Sequence, residues 1–397
     1  MYYMVKFFIF ILIYQLFLIV TVNCSDKDKA ARAKKHGAFK QWKFRYSYVS
    51  TDKLYKWPKP LKYYVETGLN KKTITKALKE ISLKTCIKFT EDKWFVPGPR
   101  GFNFMKSFFK CETKYYPYTH KEYYENEIII SPLCLSNKGT LQQFVAKILG
   151  LYDVHNRPDR DDHLNIYYKN IGPQYRHHFE KRNRTLFLGD TTFDYGSALH
   201  FNVDMYSNSR IPIVRPKKDY FKNMLGQQYE LSFNDYKILN NYYCSKNCKK
   251  SKIKCKNNGY LNSNNCKSCI CPNGYVGKRC ENIQINKKEC GNNTLVARKT
   301  TQNITIMKDI TCVYYIQSPV KTKINLTIEE VETMYAKPCY QNMGLEIKFS
   351  KDKGATGLCL CGMYEKISLI TDDNSALITY TGNSQASKAT IKYHYFK

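Results

Sequence analysis

Apolar and polar positions along the chain change period several times, and each change predicts a different element. Leu61-Lys62-Tyr63-Tyr64-Val65 alternates as a half-buried strand does. Ile74, Ala77, Leu78 and Ile81 then fall three and four residues apart, on one helical face, which predicts a helix over residues 73–81. Alternation returns in Lys84-Thr85-Cys86-Ile87-Lys88-Phe89 and in Glu127-Ile128-Ile129-Ile130, both read as strands. A second helix is expected over Gly139–Leu151, with Leu141, Phe144, Val145, Ile148 and Leu149 apolar, and a third opening at Leu231–Tyr236. Strands first with helices behind predict an α+β domain that ends near Cys244. Residues 248–280 then hold six cysteines and too few apolar positions for a core, so cross-links must hold that segment. From Cys290 to Lys397, short alternating segments such as Ile310–Ile316 and Leu345–Phe349 predict an all-β sandwich.

The first residues set the expected compartment. Lys6, the apolar run Phe7–Val20 and the polar turn Asn23-Cys24-Ser25 read as a secretory signal peptide over residues 1–24. The run is shorter than the roughly 20 residues of a spanning helix, and no later stretch is long enough, so no membrane span is expected. Residues 25–50 read as a short basic leader, and the remainder as secreted and extracellular. Sixteen cysteines suit an oxidising compartment. Cys24 leaves with the signal, and the remaining odd number predicts one thiol without an intramolecular partner. N-glycosylation sequons begin at Asn183, Asn292, Asn303 and Asn325. The formal charge of +31 attracts polyanions, and secretion favours acidic glycans over nucleic acid. The densest cluster is Lys246, Lys249, Lys250, Lys252, Lys254 and Lys256. In a chain so rich in Lys, Asn, Ile and Tyr, these lysines read more simply as solvated surface than as a specific anion site.

Several short motifs occur in a fixed order: Lys56-Trp57-Pro58, Thr85–Phe89, Gly139-Thr140, Gly150-Leu151-Tyr152, Arg157-Pro158-Asp159-Arg160-Asp161-Asp162, Phe193–Phe201, and Gly226-Gln227 with Leu231–Asp235. Together they resemble the astacin family of zinc metallopeptidases, a branch of the metzincins, in its nematode form, across residues 51–244. Cys269-Ile270-Cys271-Pro272-Asn273-Gly274-Tyr275-Val276-Gly277-Lys278-Arg279-Cys280 resembles an EGF-like module, placed at 245–282. Residues 290–397 resemble a CUB domain through Cys290-Gly291, Cys312, Cys339 and Cys361-Gly362. The resemblances imply bridges Cys86–Cys244, Cys111–Cys134, Cys248–Cys266, Cys255–Cys269, Cys271–Cys280, Cys290–Cys312 and Cys339–Cys361. Cys359 is left over, and Cys359 and Cys361 are near enough in sequence to exchange roles.

The family helix reads H-E-x-x-H-x-x-G-x-x-H: two histidines one turn apart, a glutamate that activates metal-bound water, and a third histidine brought in by the glycine turn. In the same register this chain carries Gln143, Phe144 and Lys147, then Gly150 and Asp153. Gln143 is a poor neutral ligand, Lys147 brings a positive charge, and Phe144 cannot take a proton. The family's Met-turn methionine is Leu199, its supporting tyrosine is Phe201, and the glutamate that anchors the processed N-terminus is Val154. No cofactor is therefore expected, and no residue is assigned a catalytic role. His155, His163, His177, His178 and His200 lie in the same domain without the spacing of a ligand pair. The expectation is a pseudopeptidase that binds extracellular proteins or matrix. The alternatives are a zinc metalloendopeptidase with non-standard ligands, Asp153 and nearby histidines among them, and a basic glycan-binding protein.

Overall fold

The computed structural model describes residues 56–114, 125–135, 137–181, 191–207, 209 and 211–397. The expected signal segment, the leader and the sequon at Asn183 lie outside the described residues.

The first domain is built on a five-stranded sheet of β1 (Leu61–Val65), β2 (Phe89–Glu91), β3 (Gly101–Lys106), β4 (Glu112–Lys114) and β5 (Glu127–Ile130), in the order β2-β1-β3-β5-β4. All neighbours run parallel except β4, the antiparallel edge. Helix α1 (Lys71–Lys84) starts where the Asn70 side chain accepts from the Thr73 N–H, and it buries Ile74, Ala77, Leu78 and Ile81. That helix runs past the predicted end at residue 81 and takes up part of the strand expected over Lys84–Phe89. Thr85 Oγ1 turns back to donate to the Ile81 carbonyl at 2.7 Å. Cys86 is drawn to Cys244 by a disulfide, so the ladder forms only from Phe89. Alternation alone does not register a cross-link that pulls one of the alternating residues out of the sheet.

Helix α2 (Pro132–Leu135) is a single turn, and α3 (Lys138–Ile148) follows it, packed against α1. Near the start of α3 the backbone passes so close to the 228–229 segment that a Cβ on Gly139 would lie 2.1 Å from the Gln228 carbonyl oxygen. The helix ends in a Schellman turn. Gly150 N–H donates to Lys147 O and Leu151 N–H to Ala146 O, both at 2.9 Å, with Gly150 at φ +95°. That turn sends residues 151–153 back alongside the last turn of α3.

Beyond Gly150 regular structure is sparse. β6 (Leu164–Ile166) pairs antiparallel with β7 (Val214–Pro216), and the remaining chain is held by side chains. Arg160 is buried; its guanidinium donates to the carbonyls of His155 and Phe179 and to the Tyr168 hydroxyl. Arg157 pairs with both oxygens of Asp159 at 2.8 and 2.7 Å. Helix α4 (Phe233–Cys244) opens with a capping box in which Ser232 and Asp235 exchange side-chain and backbone bonds.

The second module has four two-residue strands, β8 (Tyr260–Leu261), β9 (Cys269–Ile270), β10 (Tyr275–Val276) and β11 (Asn282–Ile283), joined in two pairs. Disulfides Cys248–Cys266, Cys255–Cys269 and Cys271–Cys280 hold it. It seats on the first domain through Tyr260 OH to Lys84 O (3.0 Å) and Ser263 Oγ to Asn240 Oδ1 (2.7 Å).

The third module is a sandwich of two sheets. One is β12 (Thr294–Val296), β14 (Thr311–Gln317), β19 (Ser375–Thr381), β16 (Gly344–Lys348) and β17 (Leu358–Leu360), in that order. The other is β13 (Gln302–Met307), β20 (Lys388–Phe396), β15 (Lys323–Glu332) and β18 (Met363–Ile370). Ile324, Leu326 and Ile328 of β15 point inward at every second position. The sandwich is docked on the first domain. Asp352 Oδ2 accepts from Thr192 N–H (2.9 Å) and Asn234 Nδ2 (3.0 Å), and Thr356 N–H donates to Asp194 Oδ1 (3.2 Å).

Four further bridges are Cys86–Cys244, Cys111–Cys134, Cys290–Cys312 and Cys339–Cys361. Cys359 is free and buried, its N–H 3.2 Å from Met224 Sδ. A bond between chains at this thiol would require it to be uncovered first. Asn292 and Asn303 are exposed, and Asn325 is half-buried.

Candidate functional site

Helix α3 and the turn after it bring together the positions that the resemblance assigns to metal chemistry. Gln143 and Phe144 are buried on α3, and Lys147 lies one turn further on. The Schellman turn reverses the chain so that Asp153 faces Lys147, with Oδ1 2.8 Å from Nζ. This contact is an ion pair by distance but lacks hydrogen-bond geometry, and Asp153 Oδ1 has no hydrogen-bond partner. The ammonium also lies 4.7 Å from the centre of the Phe201 ring, which offers its negative face.

Around this pair the structure assembles a shell of rings that carries no periodic signal in the sequence. His155 is 1% exposed and packs between Phe179 (5.0 Å) and Phe201 (4.5 Å). Its Nε2 faces the His178 carbonyl at 3.2 Å. Burial, and then the charge of Lys147, holds its pKa well below the usual histidine range, so it is neutral at physiological pH. Burial, with His177 next, pushes His178 down to about 4, and burial pushes His200 down to about 3. His163 is stacked on Phe193 at 4.4 Å, with its pKa also lowered by burial. The His177 and His178 rings lie 4.1 Å apart, tilted by 40° to each other.

Behind Asp153 lies a cavity of about 50 Å³ whose lining includes Val154, Arg157, Asp194, Leu199 and Asn234. Asp194 Oδ2 and Asn234 Oδ1, both on buried side chains, have no hydrogen-bond partner. Asp235 also lines this cavity, and burial followed by the nearby Asp194 raises its pKa to about 7.

The donor set does not fit a catalytic zinc. Such a site takes three protein ligands from imidazole, thiolate or carboxylate. At the positions in question only Asp153 is such a donor, and it is held by an ammonium that would repel the metal. His155 is turned to a backbone carbonyl. Among the described residues no group of three or more His, Cys, Asp or Glu side chains is placed to hold a metal ion. Nor can Phe144 serve as a base. What the arrangement provides is a largely buried shell of tilted and edge-on rings beside one carboxylate-paired cation.

Residues 49–244 match the model of the peptidase family described as Astacin. Zinc metalloproteinase nas-34 of Caenorhabditis elegans is 28% identical over 343 residues, covering 86% of this chain and 56% of that protein. Zinc metalloproteinase nas-23 of the same species is 32% identical over 262 residues, covering 62% and 48%. The high choriolytic enzyme 1 of Oryzias latipes, a hatching enzyme zinc-protease of solved structure, aligns with a TM-score of 0.41 at 22% identity over 52% of this chain and 98% of its own. The chain spans about half the length of the curated relatives it matches. With its motifs in order and its first domain matched from end to end, the chain belongs to the astacin family.

Proposed function

We propose that this chain is an astacin-family protein that does not hydrolyse peptides and acts outside the cell by binding proteins or matrix. The observation that carries this reading is the Lys147 ammonium, 2.8 Å from Asp153, at the centre of the positions where the family pattern calls for three imidazoles. A cation built into the protein competes with a divalent metal for the same carboxylate, and Phe144 removes the base. The framework that shapes the cleft is intact: the Gly150 turn, the Arg157 and Arg160 anchors and the capping box of α4. Seven disulfides suit an oxidising compartment, and among the described residues no helix is long and apolar enough to cross a membrane.

The match to proteins named zinc metalloproteinases favours a second reading, hydrolysis with non-standard ligands. Zinc analysis and casein digestion by the secreted protein separate the two. The expected result is far less than one zinc per chain and no cleavage. A variant with Gln143→His, Phe144→Glu, Lys147→His and Asp153→His is expected to take up one zinc. Stoichiometric zinc in the unaltered protein, with cleavage abolished by a chelator, sinks the proposal.

A further inference from the structure

From Ser245 to Cys280 the chain carries eight lysines and one arginine and no aspartate or glutamate. All nine cationic side chains are exposed: Lys246, Lys249, Lys250, Lys252, Lys254, Lys256, Lys267, Lys278 and Arg279. Among the described residues none of the nine is ion-paired, whereas elsewhere lysines meet carboxylates, as in Lys62–Asp92, Lys71–Glu91 and Lys138–Glu80. A chain-wide excess of lysine explains a high count. It does not explain a run from Ser245 to Cys280 without one carboxylate; the first to follow, Glu281, accepts from the Arg279 N–H.

The fold adds two cations that the sequence places far away. Lys56 Nζ donates to Tyr242 O and Lys59 Nζ to Tyr243 O at 2.8 Å, which seats both at the end of α4, where Lys246 follows. Burial and then Lys246 lower the pKa of Lys56, and burial and then Lys56 lower that of Lys59. Three disulfides fix the backbone beneath the lysines, so a ligand orders side chains and little else.

We infer that this face, centred on Lys246 to Lys256 and extended by Lys56 and Lys59, is a binding surface for a sulfated glycan chain. Two features of the face select that polyanion. Residues 245–258 contain no aromatic side chain on which nucleic-acid bases would stack. No large apolar side chain is exposed between Tyr229 and Val276, so nothing there would insert into a lipid surface. What remains is charge recognition of sulfate groups along a flexible polymer, in the oxidising compartment that the disulfides imply. The inference stands apart from the loss of hydrolysis, because none of these residues touches the α3 cleft.

The test is heparin affinity of the full secreted chain across a salt series. In one variant Lys246, Lys249, Lys250, Lys252, Lys254 and Lys256 are replaced by glutamine. In a charge-matched control the replaced lysines are Lys299, Lys321, Lys323, Lys337, Lys351 and Lys366, all exposed on the sandwich. The first variant is expected to elute at clearly lower salt, its log affinity against log salt flattening by roughly one unit of slope per lysine that contacts the polymer. The control is expected to elute with the unaltered chain, and arginine at the six sites to restore retention. Equal loss in both variants would show that net charge alone is responsible and would overturn the inference. So would undiminished binding to desulfated heparin, or tighter binding to single-stranded DNA or to phosphatidylserine vesicles.

Discussion

Among the lysine–carboxylate pairs of the described residues, two that are shielded from solvent are built differently. In the sandwich, Lys348 and Glu346 are each 2% exposed, 3.1 Å apart. Lys348 also donates to Ala355 O, while Glu346 accepts from Gln341, the Gly357 N–H and Asn273 of the second module. Burial alone would raise the Glu346 pKa; Lys348 and these donors more than offset it, leaving it below the usual range. At the cleft, Lys147 and Asp153 are 20% and 12% exposed, and the carboxylate oxygen nearest the ammonium is left without a hydrogen bond. A buried charge is tolerable when each of its hydrogen-bonding sites is met. The Glu346 carboxylate comes closest to that condition, with three donors besides Lys348, and its bond from Asn273 ties two modules together. The second pair does not meet it, since Asp153 Oδ1 has no hydrogen-bond partner.

The difference fixes an order of effects. Lys348→Met leaves Glu346 buried without its counter-charge and is expected to cost about 3–5 kcal/mol, read as a large fall in melting temperature or loss of secretion. A shift as small as that of the cleft variant would erase the contrast. Asp352→Ala removes the acceptor shared by Thr192 and Asn234 and is expected to cost about 2–3 kcal/mol, with faster limited proteolysis around residues 350–357.

Lys147→Met is expected to cost only about 1–2 kcal/mol, because Asp153 keeps some contact with solvent. The double variant Lys147→Met/Asp153→Leu is expected to lie within about 1 kcal/mol of the unaltered protein. A double variant as damaging as Lys348→Met would mean that the cleft pair is a structural strut.

The smallest effect expected at neutral pH concerns His200, whose folded pKa of about 3 lies below the 6.5 of the free side chain. The unfolded chain takes up a proton that the native chain refuses. The contribution of this group to stability is therefore full above pH 6.5 and is lost as pH falls toward 3. His200→Phe is expected to flatten this acid slope by up to about 1.4 kcal/mol per pH unit. Buried His155 and His178 keep part of the slope, and parallel melting curves for both proteins between about pH 7 and 4 would count against the assignment.

Much of the scaffold was legible in the sequence, because amphipathic spacing survives wherever an element has one buried face. Helix α1 and strand β1 announce themselves in this way, whereas α3 and α4 are buried on more than one face. The strand expected over Lys84–Phe89 failed because Cys86 answers to Cys244 and not to a strand partner. The approach of Lys147 to Asp153 was within reach, since a single glycine turn links the end of α3 to the carboxylate. The ring shell of His155, His178, Phe179 and Phe201 was not: its members sit on aperiodic turns held by the buried Arg160 guanidinium. The seat of Asp352 on Thr192 was hidden for another reason, since 160 residues separate the two.

The contact between Thr356 and the turn at Asp194–Gly196 has a mechanical consequence. A side chain on Gly196 would collide with Thr356, with Cβ only 2.5 Å from its Cγ2. Leu199, which lines the cavity behind Asp153, lies a few residues on. Glycine at 196 is therefore what lets the sandwich sit this close, and any larger residue there would loosen the seat of the carboxyl-terminal module on the first domain.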